Sequence, residues 1–173
     1  MILVSDEKIV LSLMQKADIS ELLVRWLNDK DVVRYSRQRL LKHTLETSLA
    51  YFDSFATSGH LYVKIVERSE NRMIGSMTAY FNEDKTSADL GILIGDKTVW
   101  GKGYGSRAWA LLMGYLLTDE TIKAVTGGCD AENKGMIVLF RKVGMSRLDA
   151  QLVQDSRGKH TILHYIKRKG EVA

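Results

Sequence analysis

The stretch ILIGDKTVWGKGYGSRAWALL, residues 92–112, constrains the fold more than any other part of the chain. An apolar, strand-like run passes through Gly101, Gly103 and Gly105 directly into a segment whose Ala108, Leu111, Leu112, Tyr115 and Leu116 recur at helical spacing. A strand that becomes an amphipathic helix through glycines leaves the first amides of that helix without intrahelical partners. It also places the positive end of the helix dipole where backbone can be approached closely. Such a site suits phosphate oxygens, so a pyrophosphate-bearing ligand is the natural occupant. Two familiar phosphate patterns do not fit. The dinucleotide fingerprint opens a parallel βαβ unit, whereas three strands precede this loop in a meander. The nucleotide-triphosphate loop needs Gly-Lys-Ser/Thr after its first glycine and four intervening residues, and none follows Gly101.

The rest of the chain reads as one domain over residues 1–173, without repeat, low-complexity tract or linker. Ile9 to Leu13 alternates weakly like a strand. Asp18 with Glu21 is expected to cap a helix carrying Ile19, Leu22, Leu23, Trp26 and Leu27, and Thr44 a second one carrying Leu45, Leu49, Phe52 and Phe55. The period then becomes two in HLYVKIVE, RMIGSMTAY and SADLGILIG, which predicts an antiparallel meander. After the glycine loop and its helix come a strand at IKAVTGGC, a short helix from Asn133 to Val143 capped by Gly144, and two strands flanking the turn DSRG. The order β-α-α-β-β-β-α-β-α-β-β predicts an α+β fold.

Composition narrows the functional classes. At 45% hydrophobic residues the chain can bury a real core, and no apolar run reaches the roughly 18 to 20 residues needed to cross a bilayer. MILVSDEKIVLSLMQ meets charge too early for a secretory signal, so the expectation is a cytoplasmic protein with no membrane association. Cys129 has no disulfide partner and the four histidines are scattered, so no metal is expected. The net charge of +4 suits an anionic ligand, but lysines and arginines alternate with acids rather than forming a nucleic-acid arm. Proline is absent, which leaves the turns to Gly, Asn, Asp and Ser.

VWGKGYGSRAWALL resembles motif A of the GNAT superfamily of N-acetyltransferases, in which Gln or Arg, two residues, Gly, one residue, and Gly or Ala follow a strand. Trp100 stands at the Gln/Arg position, and Gly103 and Gly105 match the glycines. AENKGMIVLFRKVGM is similar to a second family signature, with Asn133 as its Asn and Gly144-Met145 in place of Gly-Phe. RWLNDKDVVRYS and DSRGKHTILHYIKR resemble the branch of ribosomal-protein N-terminal acetyltransferases, so the likeness covers nearly the whole chain. It implies a mostly antiparallel twisted sheet of about seven strands, splayed in the middle, with about four helices on both faces. It implies acetyl-CoA as co-substrate, with pantetheine along Leu93, Ile94 and Gly95. The pyrophosphate would rest on the loop of Trp100, Gly101, Lys102, Gly103, Tyr104, Gly105 and Ser106. Lys102 and Arg107 either add charge there or are ordinary solvated side chains.

The implied reaction is direct attack of a neutral amine on the thioester, with a backbone N–H of Leu93 or Ile94 receiving the oxyanion. Asp89, on the strand face opposite Ala88, Leu90 and Ile92, is the carboxylate for the proton, where related enzymes often carry Glu; a solvated edge charge is the alternative. Asn133 is assigned a place near the pantetheine or the acetyl group. The family's thiolate-protonating Tyr is here Phe140, and Met136 stands where this branch often has Ser. Water, Tyr80, Tyr104 or Tyr165 must then supply the proton, or activity is weakened. Cys129 reads as a buried apolar residue, not a nucleophile. A protein N-terminus, a small amine and the amino group of a nucleotide-linked sugar stay open as acceptors, as does a CoA-sensing module without catalysis. Arg34, Arg37, Arg39 and Lys42 are either a solvated face or a site for an anionic acceptor. A homodimer is left open.

Overall fold

Alternation of apolar and polar residues from Leu61 to Ile94 builds the centre of the sheet. Strands β1 (Ile2–Ser5), β2 (Ile9–Leu13), β3 (Leu61–Glu67), β4 (Arg72–Phe81), β5 (Ser87–Ile94), β6 (Ala124–Asp130), β7 (Ser146–Asp155) and β8 (Gly158–Arg168) form one mixed sheet. Its order is β1-β2-β3-β4-β5-β6-β8-β7 in the computed structural model, which describes residues 1–171. Four helices accompany it: α1 (Glu21–Asn28), α2 (Leu45–Ser58), α3 (Tyr104–Thr118) and α4 (Lys134–Lys142). Every neighbouring pair is antiparallel except β5 and β6, which α3 joins as a crossover. The mixed, mostly antiparallel architecture is as expected, but among the described residues the strands number eight. The added strand, β1, is four residues long and ends at a charged turn, too short for its period to register in sequence; pairing with β2 makes it a strand.

Helix α2 begins as expected, with the Thr44 hydroxyl accepting from the Thr47 amide at 3.1 Å. Helix α1 does not. Its N-cap is Ser20, while Asp18 accepts from the Gln15 amide at 2.8 Å and from Lys64 Nζ at 2.7 Å. A lysine projecting from β3 outcompetes the helix end for that carboxylate.

The sheet separates two apolar clusters. Trp109, Leu112, Leu116, Leu139 and Phe140 of α3 and α4 pack on one side with Ile65, Met77 and Leu90. Leu23 and Trp26 of α1 pack on the other with Tyr62, joined by Phe52 and Phe55 of α2. Burying Trp109 and Phe140 fully stabilises α3 and α4 on the sheet by roughly 2–3 kcal/mol each before entropy is counted. Gly127 makes that packing possible: a Cβ there would lie 2.7 Å from Trp109 and 3.1 Å from Phe140.

Candidate active site

The parallel pairing of β5 with β6 runs only from Ser87↔Ala124 to Leu90↔Gly127. Beyond it Gly91–Ile94 stay on β4, and Gly128–Asp130 stay on β8, so the two strands part into an open cleft. Backbone groups on an unpaired edge lack ladder partners, a geometry that suits an extended, amide-bearing chain.

Hydrogen bonds on either side of β5 decide which of its groups face the cleft. Lys123 N donates to Thr86 O at 2.7 Å on the β6 side, and Gly95 N donates to Ile74 O at 3.0 Å on the β4 side. Because these groups alternate along a strand, even-numbered residues face β6 and odd-numbered ones face β4. The cleft amides are therefore those of Ile92 and Ile94. Of the three residues expected to meet the pantetheine, Ile94 turns its amide to the cleft, while Leu93 and Gly95 turn theirs to β4. Gly95 instead serves packing, since a Cβ there would lie 1.9 Å from the Trp26 ring. Trp100 donates its indole N–H to Ile94 O at 2.9 Å, tying the glycine loop to the cleft strand. Ile92 was missed because backbone direction depends on the partner strands, which residue type does not reveal.

The loop itself is held by Asp96, which accepts from the Thr98 amide at 2.8 Å and pairs with Arg72. Gly101 and Gly103 lie at φ +72° and +83°, the left-handed region that other residues enter at a cost. Gly103 is the N-cap of α3, and the first bond back into the helix runs from Arg107 N to Gly103 O at 3.1 Å. Among the described residues, the amides of Gly101, Gly103, Tyr104, Gly105 and Ser106 have no acceptor. This is a concave set of donors at the positive end of a 15-residue helix. Lys142, unremarked in the sequence, brings its Nζ within 4.0 Å of where a Gly103 Cβ would sit. Arg107 is committed elsewhere, at 2.5 Å from Asp6 and 2.7 Å from Glu7. The Tyr104 hydroxyl donates to Glu67 at 2.7 Å, a bond that raises its pKa, so this tyrosine braces the loop rather than holding a proton for the cleft.

Asp89 lies on the same sheet face as Gly91 and Leu93, exposed, and accepts from the Thr126 hydroxyl at 2.7 Å. Asn133 is the N-cap of α4: its Oδ1 accepts from the Met136 amide at 3.1 Å, leaving only its NH2 for a ligand. Phe140 is fully buried, edge-on to Trp109 and stacked at 4.5 Å on Tyr165, so the position is filled as core. Burial pushes the Cys129 thiol up to about 11, with the Asp130 charge adding to it, which keeps the sulfur protonated. Each histidine has a local partner: Gln38 O for His43, Phe81 N for His60, Arg157 for His160 and Asp149 for His164.

On the α1/α2 side two adjoining cavities open beside the cleft. The smaller, about 150 Å³, reaches Gly91, Ile92 and Leu93 past Ser76 and Thr78. The larger, about 320 Å³, runs to Leu41, Lys42, His43, Thr47 and Ser48, and both share Leu27, Gln38, Tyr51 and Tyr62. Tyr51 and Tyr80 hydroxyls lie 2.5 Å apart. Burial, then that bond, pushes the Tyr51 phenol far above its ordinary value. Burial also pushes Tyr62 up to about 12, against a hydrogen bond to Ser76. Among the described residues, no carboxylate lines either cavity.

Residues 8–146 match the family model of the acetyltransferase (GNAT) domain. No curated protein matches the sequence. The fold is similar to a GNAT-family acetyltransferase from Bacillus anthracis, with a TM-score of 0.85 at 17% identity, covering 99% of this chain and 100% of that one. It is similar to the ribosomal L7/L12 α-N-protein acetyltransferase RimL in complex with coenzyme A, at 0.84 and 13%, covering 97% and 98%. It is also similar to the aminoglycoside acetyltransferase AAC(6')-Ib in complex with coenzyme A, at 0.76 and 18%, covering 93% and 95%. At these identities the likeness speaks for the fold.

Proposed function

Since the chain belongs to the GNAT acetyltransferase family, which takes its acetyl group from acetyl-CoA, we propose that it acetylates a small primary amine drawn from the cavities beside the cleft. The diphosphate of acetyl-CoA rests on the amides of Gly101 and Gly103–Ser106, with Lys142 and Lys102 balancing its charge. The pantetheine arm follows β5 and pairs with the Ile94 amide, directing the thioester toward the parting of the strands and leaving the Ile92 amide for the oxyanion. The single observation that carries this reading is the set of unpartnered amides beginning α3 immediately beyond an unpaired strand edge.

The amine enters from the 150 Å³ cavity, whose lining includes Gly91 and Ile92. It attacks the thioester carbonyl: the N–C bond forms, the C–S bond breaks, and the oxyanion between them is held by a cleft amide of β5. With no carboxylate among the described residues that line the cavities, the ammonium proton leaves through water to Asp89 on the same sheet face. The thiolate takes its proton from Tyr165, the phenol stacked on Phe140. Asn133 orients α4 by its cap and offers its NH2 to the pantetheine. Two small cavities of about 150 and 320 Å³ favour a small acceptor over a protein N-terminus, and an amino group on a nucleotide-linked sugar falls within that class.

Isothermal calorimetry with coenzyme A and free-thiol release from acetyl-CoA over an amine panel test the proposal. Micromolar binding lost in Gly103→Asp, together with amine-dependent thiol release, is expected. Absence of CoA binding by the parent overturns it. The burial of Phe140 favours a second reading, a CoA-binding module without transfer, and binding with no thiol release toward any amine would select it.

A further inference from the structure

The larger cavity carries a feature that packing does not explain. Ser48, on the first turns of α2, lines it at 4% exposure, yet its Oγ has no hydrogen-bond partner among the described residues. Buried hydroxyls are nearly always paired, and one left alone costs stability that a ligand oxygen would restore. Lys42 lines the same cavity and, among the described residues, has no carboxylate partner. His43 lines it too; its Nε2 donates to Gln38 O at 3.0 Å, and its backbone is clamped to Asn28 through bonds of 2.8 and 3.0 Å. The acids of the neighbourhood are turned away or neutralised: Asp29 and Asp31 are paired with Lys97, and Glu46 on α2 does not line the cavity.

We propose that this cavity receives an anionic group on the acceptor, a phosphate or carboxylate held by Ser48 Oγ and Lys42 Nζ with His43 beside them, while the acceptor's amine occupies the smaller cavity at the cleft. The inference rests on the acetyl-transfer reading and adds the substrate class to it. A hydroxyl donor and an ammonium line one cavity that, among the described residues, no carboxylate borders, so the site attracts an anion and repels a polycation. Leu27, Gln38, Tyr51 and Tyr62 form the neck between the two cavities, so one molecule with an apolar or hydroxylated spacer fills both.

The test compares four probes built on one six-carbon chain in thiol release from acetyl-CoA: 6-aminohexyl phosphate, 6-aminohexanoate, 6-aminohexanol and 1,6-diaminohexane. The anionic probes are expected to exceed the alcohol by roughly ten- to hundred-fold in kcat/KM, mainly through KM, with the diamine last. Preference for phosphate over carboxylate or the reverse identifies the source of the charge. In Lys42→Met and in Ser48→Ala the ratio of anion to alcohol should fall toward one. Ser48→Ala should do so without lowering the melting temperature, because it removes a hydroxyl that nothing in the free protein satisfies; a merely structural serine would not separate the two readouts. Equal rates for all four probes, or preference for the diamine, overturn the inference while leaving acetyl transfer intact. If none turns over, calorimetric titration of 6-aminohexyl phosphate into the CoA complex decides it: binding lost in both variants supports the anion site, and no binding overturns it. Failure to bind CoA would instead sink the underlying reading.

Discussion

Replacing Gly103 and Gly105 separately by alanine should change stability in opposite directions, although the two lie two residues apart in one glycine loop. At Gly103 there is room, since the nearest atom to a new Cβ is Lys142 Nζ at 4.0 Å. The cost is in the backbone, because φ is +83° and an L-residue in the left-handed region is penalised by roughly 1–2 kcal/mol. Gly105 lies inside α3, and its new Cβ would touch Leu139 at 3.6 Å and Ile94 at 3.7 Å, ordinary contact distances. Alanine there removes glycine's helical penalty, worth up to about 1 kcal/mol, less in a first turn. For a chain of this size, 1 kcal/mol corresponds to about 2–4 °C in melting temperature. Gly103→Ala should therefore melt about 2–8 °C lower and Gly105→Ala slightly higher, as read by urea and thermal unfolding at matched pH. Calorimetry should show coenzyme A affinity falling in Gly103→Ala, where the cap amide turns, and holding in Gly105→Ala. If Gly105→Ala were destabilised as much as Gly103→Ala, the separation of backbone cost from space would be wrong.

Gly127→Ala should cost about 1–3 kcal/mol in urea unfolding, because its Cβ would meet Trp109 at 2.7 Å and neither that ring nor Phe140 has room to withdraw; a neutral result would refute the tight packing. Asp155 is held down at about 2 by its hydrogen bonds to the Arg157 guanidinium, below its ordinary value of 3.8. A depressed carboxylate stabilises the fold above its unfolded pKa and loses that contribution as pH falls through its folded pKa. Acid titration of wild type against Asp155→Asn should therefore show an extra fall in wild-type stability confined to pH 4 to 2, and parallel curves would refute it. Cys129, pushed up to about 11 by burial, should react with a disulfide reagent at pH 8 only as fast as the protein opens. Labelling that stayed fast in the absence of denaturant would contradict that burial.

Much of the frame was legible in the residues. Period-two alternation located β3, β4 and β5, helical spacing located α2 and α3, and Thr44 and Gly144 marked ends where caps lie. β1 was lost because four residues carry too little pattern, and the Asp18 cap because Lys64, 46 residues on, claims the carboxylate. In the site, the glycine loop could be read directly. Lys142 could not: its approach to Gly103 depends on how α4 packs beside α3, a tertiary fact with no local signal. The stacking of Phe140 on Tyr165 likewise joins residues from a helix and a strand that only the core brings together.

By itself, the order of apolar and polar residues around three glycines determined that a strand would run into a helix with free amides at its start, because those preferences are local to the backbone. Which amides of β5 face the cleft, which cation stands beside the loop, and which hydroxyl lies orphaned in the larger cavity were decided only by tertiary structure. Each depends on what an adjacent strand or helix leaves unpaired, and that is a property of neighbours in space rather than along the chain.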